Sequence, residues 1–145
     1  MTRARCAAWL AGLWAGLLWA IALVGAPAAF AVATSEMAGR IAGRMFAQEA
    51  YLALALSMVL ALLLRSRARA AAAAGTGSVL SADMLLALGA LLCTVAGYFA
   101  LQPMFAAARA GQGSWSFATL HGVSMSLYGL KALLVSVLAW RLAPQ

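Results

Sequence analysis

Four stretches of this chain carry no charged side chain, and most of them are too long for anything but a membrane. Ala7 to Ala33 runs 27 residues uncharged, Met84 to Ala108 runs 25, and Ala110 to Leu130 runs 21. The last resumes after Lys131 with nine more, Ala132 to Trp140, while Ala50 to Leu64 gives only 15. A helix needs roughly 20 apolar residues to cross about 30 Å of hydrocarbon. Of the 145 residues 66% are hydrophobic and 9% charged, where a soluble domain carries roughly a quarter charged. The chain therefore reads as all-α, a single four-transmembrane-helix bundle running up-down-up-down over residues 1–145. The helices are expected near 6–32, 36–65, 82–107 and 117–141, with a cytoplasmic loop at 66–81.

A net charge of +7 invites a nucleic-acid reading, but its distribution argues against one. Arg3, Arg5, Arg65, Arg67, Arg69 and Arg141 fall on one side of such a bundle, and Arg40, Arg44 and Arg109 on the other. The positive-inside rule then places both termini and the loop after span two in the cytoplasm. No basic patch is left for nucleic acid. The expected partners are the lipid bilayer and either another copy of the chain or another membrane protein. Cys6 and Cys93 show no metal or redox spacing and read as apolar fillers, so no cofactor is expected. "MTRAR", an apolar stretch and "AVA" at 31–33 imitate a secretory signal, but the stretch is long and carries Trp9, Trp14 and Trp19. It reads as a retained first helix.

Within span one, Gly12 and Gly16 in "GLWAG" have the small-xxx-small spacing of a close helix contact, and Pro27 should kink or end the helix. "TSEMAGRIAGRMFAQEAY" (34–51) reads as a helical lead-in to span two, with Thr34 or Ser35 as N-cap. Glu36 and Arg40 stand i,i+4 in the favourable order. Arg40 and Arg44 form either a solvated outer turn or an Arg-lined mouth for an anion or lipid head group. The stretch 65–82 is basic, then small and flexible in composition.

Depth counting locates the polar residues. Lys131 lies ten residues before Arg141, about 15 Å at the helical rise, and His121 lies twenty before it, about 30 Å. Lys131 is therefore mid-membrane and His121 at the outer boundary. His121, Ser124, Met125, Tyr128 and Lys131 share one helical stripe, expected to face the bundle interior. Counting back roughly 20 residues from Arg65 puts Glu49 about one turn inside the outer boundary. The expectation is an outer cluster of Glu49, Gln102 and His121, and a mid-membrane trio of Lys131, Ser57 and Thr94. No carboxylate is expected at the depth of Lys131, which must be hydrogen-bonded by hydroxyls and carbonyls, neutral, or reaching a wet cavity. His121 and Met125, i,i+4 apart, come nearest to a soft-metal pair, with Met37, Met45 and Met104 also toward the outer ends. Methionine is an ordinary gap filler, so no metal is expected. Ser124 lies three residues from His121, yet no second acid could complete a triad and no nucleotide loop is present. The chain is not expected to be an enzyme.

The stretches "AGRIAGRMFAQEAYLALAL" (38–56), "GYFALQPM" (97–104), "ARAGQG" (108–113) and "FATLHGVSMSLYGLKALL" (117–134), with the Trp-rich first span, resemble the bacterial DUF4149, or transmembrane protein 205-like, family. The resemblance runs through nearly the whole chain in order, and "LHG.S" and "AGR.AGR.F" are its most specific parts. It implies a four-helix integral protein of the bacterial inner membrane and no particular biochemical activity. Two functions are carried forward. The first is a non-enzymatic scaffold or partner subunit whose polar groups lock helix packing. The alternative is a small-solute, proton or metal-ion carrier with the Glu49–Gln102–His121 cluster at its mouth.

Overall fold

The computed structural model describes residues 2–143 and, among them, contains helices and no strand. Four helices are long and apolar enough to cross a membrane: α1 (Arg3–Val32), α2 (Ser35–Ala73), α3 (Ala82–Arg109) and α4 (Phe117–Leu142). Each starts at a hydroxyl N-cap that accepts from a backbone N–H three residues on: Thr2 from Arg5, Thr34 from Met37, Ser81 from Met84 and Ser116 from Thr119. These bonds satisfy orphan donors at the helix start. Large apolar side chains such as Trp9, Leu13, Leu23, Leu62, Leu92 and Trp140 lie exposed on the outside, as a lipid-facing surface requires. The protein is a multi-pass membrane protein folded as a four-helix, up-down bundle.

Helix α2 does not stop at the basic cluster. It continues to Ala73, so the first half of the expected 66–81 loop is helical. The composition there is small, but alanine and arginine are among the best helix formers. What stops the helix is Gly75, at φ 70°, with Thr76 N–H returning to Ala71 O. That is the left-handed glycine C-cap.

The helices pack around a square in the order α1, α2, α3, α4 and back to α1, which leaves α2 and α4 facing across a diagonal. Around the end that carries both termini the square is filled. Ala7, Ala11, Trp14 and Leu18 of α1 meet Ala53, Leu60 and Leu64 of α2, Ala87 and Ala90 of α3, and Ala132, Val135 and Leu138 of α4. An ion pair, Arg141 Nε to Asp83 Oδ1 at 2.6 Å, ties α4 to the start of α3 at that end.

The other half differs. Extended packing between the α1–α2 hairpin and the α3–α4 hairpin is confined to Arg3–Ala20 with α4 and Ala82–Thr94 with α2. Beyond those segments the hairpins splay. Helices α1 and α3 both change character there, with π-helical turns at Ile21–Gly25 in α1 and Val95–Ala100 in α3. Each is followed by a proline, Pro27 and Pro103, whose ring opposes the carbonyl four residues back. Those carbonyls, on Leu23 and Phe99, lie inside the two π-helical turns. Pro27 therefore does not end α1, which runs on to Val32 past the wider turn.

Close helix approach is made elsewhere than at Gly12 and Gly16. Both are exposed, and a Cβ added at either would meet nothing within 4 Å. The tight positions are Gly89 and Gly97 of α3, where an added Cβ would stand 3.1 Å from Leu134 Cδ1 and 3.0 Å from Leu127 Cβ. Leu127 Cβ is fixed by its backbone, so Gly97→Ala should force α3 from α4 and destabilise by about 1–3 kcal/mol. Gly43→Ala, where the added carbon meets nothing within 4 Å, should instead stabilise by about 0.5–1 kcal/mol. Unfolding in mixed micelles on titration with dodecyl sulfate measures both, and equal effects would contradict this assignment of the contact.

Candidate functional site

Between the splayed hairpins lies a cavity of about 550 Å³ to which all four helices contribute. Its rim carries Ser35, Gln102, Arg109, Phe117 and His121, and its deepest side chains are Glu49, Cys93, Tyr128 and Lys131. Between them the wall is aromatic and small, including Phe46, Tyr98, Gly39 and Gly43. At the rim the Arg109 guanidinium stands 5.5 Å over the Phe117 ring, and the His121 ring, one turn along α4, stacks on the same Phe117 with centroids 6.1 Å apart.

The floor is an ion pair. Lys131 Nζ of α4 donates to Glu49 Oε2 of α2 at 2.6 Å, and the two side chains are 4% and 2% exposed. Trp14 of α1 donates its Nε1–H to Glu49 Oε1 at 3.3 Å, and the Lys131 ammonium lies 4.8 Å over the Tyr128 ring. This overturns the expectation that Lys131 has no acid at its depth. Glu49 belongs to the middle of the bundle. The count from Arg65 misplaced it because Arg65 is not level with Arg141: it lies sixteen residues from Glu49, while Arg141 lies ten from Lys131, so α2 carries its basic residues about 9 Å further along. Counted from their first residues, Ser35 and Phe117, Glu49 and Lys131 each stand fourteen residues in, about 21 Å along parallel helices.

Glu49, Gln102 and His121 share the cavity but, among the described residues, no hydrogen bond joins them. Gln102 and His121 are exposed at the rim while Glu49 is committed to Trp14 and Lys131. The mid-membrane trio is also not a bonded group. Thr94 Oγ1 donates to Ala90 O at 2.9 Å, and Ser57 Oγ is buried with no partner among the described residues. Arg40 and Arg44 line no part of the cavity. Arg40 pairs loosely with Glu36 at 3.9 Å on the exposed face, and Arg44 borders a shallow groove with Gln48 and Tyr51. The arginine at the mouth is Arg109. His121 and Met125 both touch the cavity, and among the described residues no three His, Cys, Asp or Glu side chains come together as a metal set.

The α4 stripe works as a set of ties. Ser124 Oγ donates to Gly97 O within the π-helical turn of α3 at 3.0 Å. Tyr128 Oη donates to Leu18 O, just ahead of the π-helical turn of α1, at 2.9 Å. Both hydroxyls line the cavity and tie α4 to backbone at or beside the π-helical turns. Sequence reasoning missed Trp14 and the two π-helical turns. The signal for the turns was present in Pro27 and Pro103, each inside a long uncharged run.

Breaking a buried pair leaves a lone charge in low dielectric, whereas replacing both partners removes the problem. Glu49→Gln and Lys131→Met should each destabilise by about 3 kcal/mol, and the double variant should lie within about 1 kcal/mol of the parent. Steric-trap unfolding in bicelles measures this cycle. Additive losses would mean that the two groups do not act on each other.

The sequence comparisons bear on this bundle as a whole. The chain matches no curated protein and no solved structure. A family model described as a domain of unknown function, DUF4149, matches residues 9–114, from α1 past the end of α3. The chain belongs to the DUF4149 family.

Proposed function

We propose that this protein is a non-enzymatic carrier or receptor of the inner membrane, with both termini cytoplasmic, that takes a small solute into the cavity between its hairpins. The observation that carries this is the position of the Glu49–Lys131 pair at the floor of a cavity of about 550 Å³. That volume lies within the range of small-molecule sites, roughly 300–1,000 Å³. Its make-up, apolar and aromatic walls with a few convergent polar groups, is also that of such sites. The asymmetric placing of the arginines supports the orientation, and the cavity then opens away from the cytoplasm.

A scaffold whose polar groups only lock the helices has no use for a splayed half. The packed core around the termini already holds four helices together. The two π-helical turns support the binding reading further, since such turns occur frequently at functional sites, and both border the cavity through Ala22, Gly97 and Tyr98.

Filling the cavity tests the reading without disturbing the pair. Gly39 and Gly43 line it, and a Cβ at either meets nothing within 4 Å. Gly39→Leu and Gly43→Leu should fold with unfolding midpoints at or above the parent's. Native mass spectrometry of gently solubilised protein should show a co-purifying small molecule on the parent and none on these variants. The same adduct on all three, or none on any, would sink the carrier reading.

A further inference from the structure

We infer that the cavity takes an apolar monocarboxylate, and that it takes one proton with it, held by Glu49. The inference rests on the binding reading of the cavity given above.

The charges on the cavity wall set the class of ligand. Arg109 at the rim and Lys131 at the floor are cations, and Glu49 is the one carboxylate among the described residues that line it. An ammonium has three N–H donors. Among the described residues Lys131 Nζ has a single acceptor, Glu49 Oε2, with the Tyr128 ring on one side. The remaining donating capacity belongs to a group that lines the cavity. A carboxylate satisfies it with a charge-assisted bond, and the aromatic and small residues above it suit an apolar body. Arg109 at the rim favours an anion on its way in.

Charge balance supplies the proton. The floor by itself is neutral, one Lys131 cation against one Glu49 anion. Adding a carboxylate alone there would set two buried anions against one ammonium, with Arg109 away at the exposed rim, at heavy desolvation cost. The balanced step is an exchange: the ligand, arriving with a proton, passes it to Glu49 Oε2 as the Lys131–Glu49 bond breaks and a Lys131–ligand carboxylate bond forms. Glu49 becomes a neutral acid that keeps its contact with Trp14 Nε1. The titratable neighbours are few: Cys93 and Tyr98 from α3, Tyr128 from α4, His121 and Arg109 at the rim, and none from α1 or elsewhere on α2 among the residues lining the cavity.

Isothermal titration of the full chain in lipid nanodiscs tests this with phenylbutyrate, its amide and the corresponding amine. Phenylbutyrate should bind, and buffers of different protonation enthalpy should report uptake of close to one proton per anion. Its affinity should rise about tenfold for each unit fall in pH where the ligand-free pair is ionised, and His121→Gln should leave that slope unchanged. Glu49→Gln, which leaves Lys131 without its acid, should bind the anion about tenfold more tightly, while Glu49→Gln with Lys131→Met should lose it by more than about tenfold. Equal binding of the amide or the amine, absence of proton uptake, or weakening in Glu49→Gln would each overturn the inference. If phenylbutyrate fails while Gly43→Leu still removes a co-purifying molecule, the anion is wrong and the cavity is still a site. If both fail, the binding reading falls with it.

Discussion

The Lys131–Glu49 bond spans a diagonal that no other extended packing crosses. Helices α2 and α4 stand at opposite corners of the bundle, so the pair ties together the two elements that their neighbours hold apart. In hydrocarbon, association between helices gains little from the hydrophobic effect and relies on packing and polar bonds. The bond across the diagonal therefore acts where helix faces do not meet, beside the edge-on contact of Phe46 of α2 with Tyr128 of α4 at 5.0 Å between centroids. It also marks a boundary. On one side the interior is filled by alanines, leucines and Trp14, and on the other the hairpins diverge.

Helix α4 organises this boundary through three residues of one stripe. Ser124 bonds to α3, Tyr128 to α1 and Lys131 to α2. Two of these reach backbone at the π-helical turns, and those turns lie opposite prolines that an α-helix would accommodate poorly. Pro27 and Pro103 go with the widened turns; Ser124 then bonds the Gly97 carbonyl inside one of them, and Tyr128 adds a hydroxyl bond to Leu18 O, which also accepts from Ile21 N–H ahead of the other. The cavity is the space left once α1 and α3 have widened and only side chains, not helix faces, bridge the gap.

Much of this was legible in the sequence. Four spans, their order, the polar stripe on α4 and the central depth of Lys131 all emerge from run lengths and helical spacing. What failed was the partner of Lys131, and the reason is specific. Basic residues mark where the membrane should end, but they do not end a helix. Arg65 lies sixteen residues from Glu49 on a helix that continues past it, whereas Arg141 lies ten from Lys131, so depth measured from Arg65 carried an error of about 9 Å. Measured from the capped starts, Ser35 and Phe117, the two residues fall level. Gly12 and Gly16 misled for a related reason, since small-residue spacing says that a close approach is possible and not which face makes it. Gly89 and Gly97 make it instead.

The family match ends at residue 114, before α4 begins. Physically, the matched portion cannot stand without that last helix. Remove α4 and Glu49 keeps only Trp14 as a partner, the carbonyls of Leu18 and Gly97 lose their hydroxyl bonds, and the packed core loses Ala132, Val135 and Leu138. A carboxylate at the centre of a membrane needs a cation, a proton or water, and in this fold the cation comes from α4. Any reading of the cavity must therefore treat Glu49 and Lys131 as one group. One helix brings the acid and the other the base, and a charge on either calls for the other or for a counter-ion in its place.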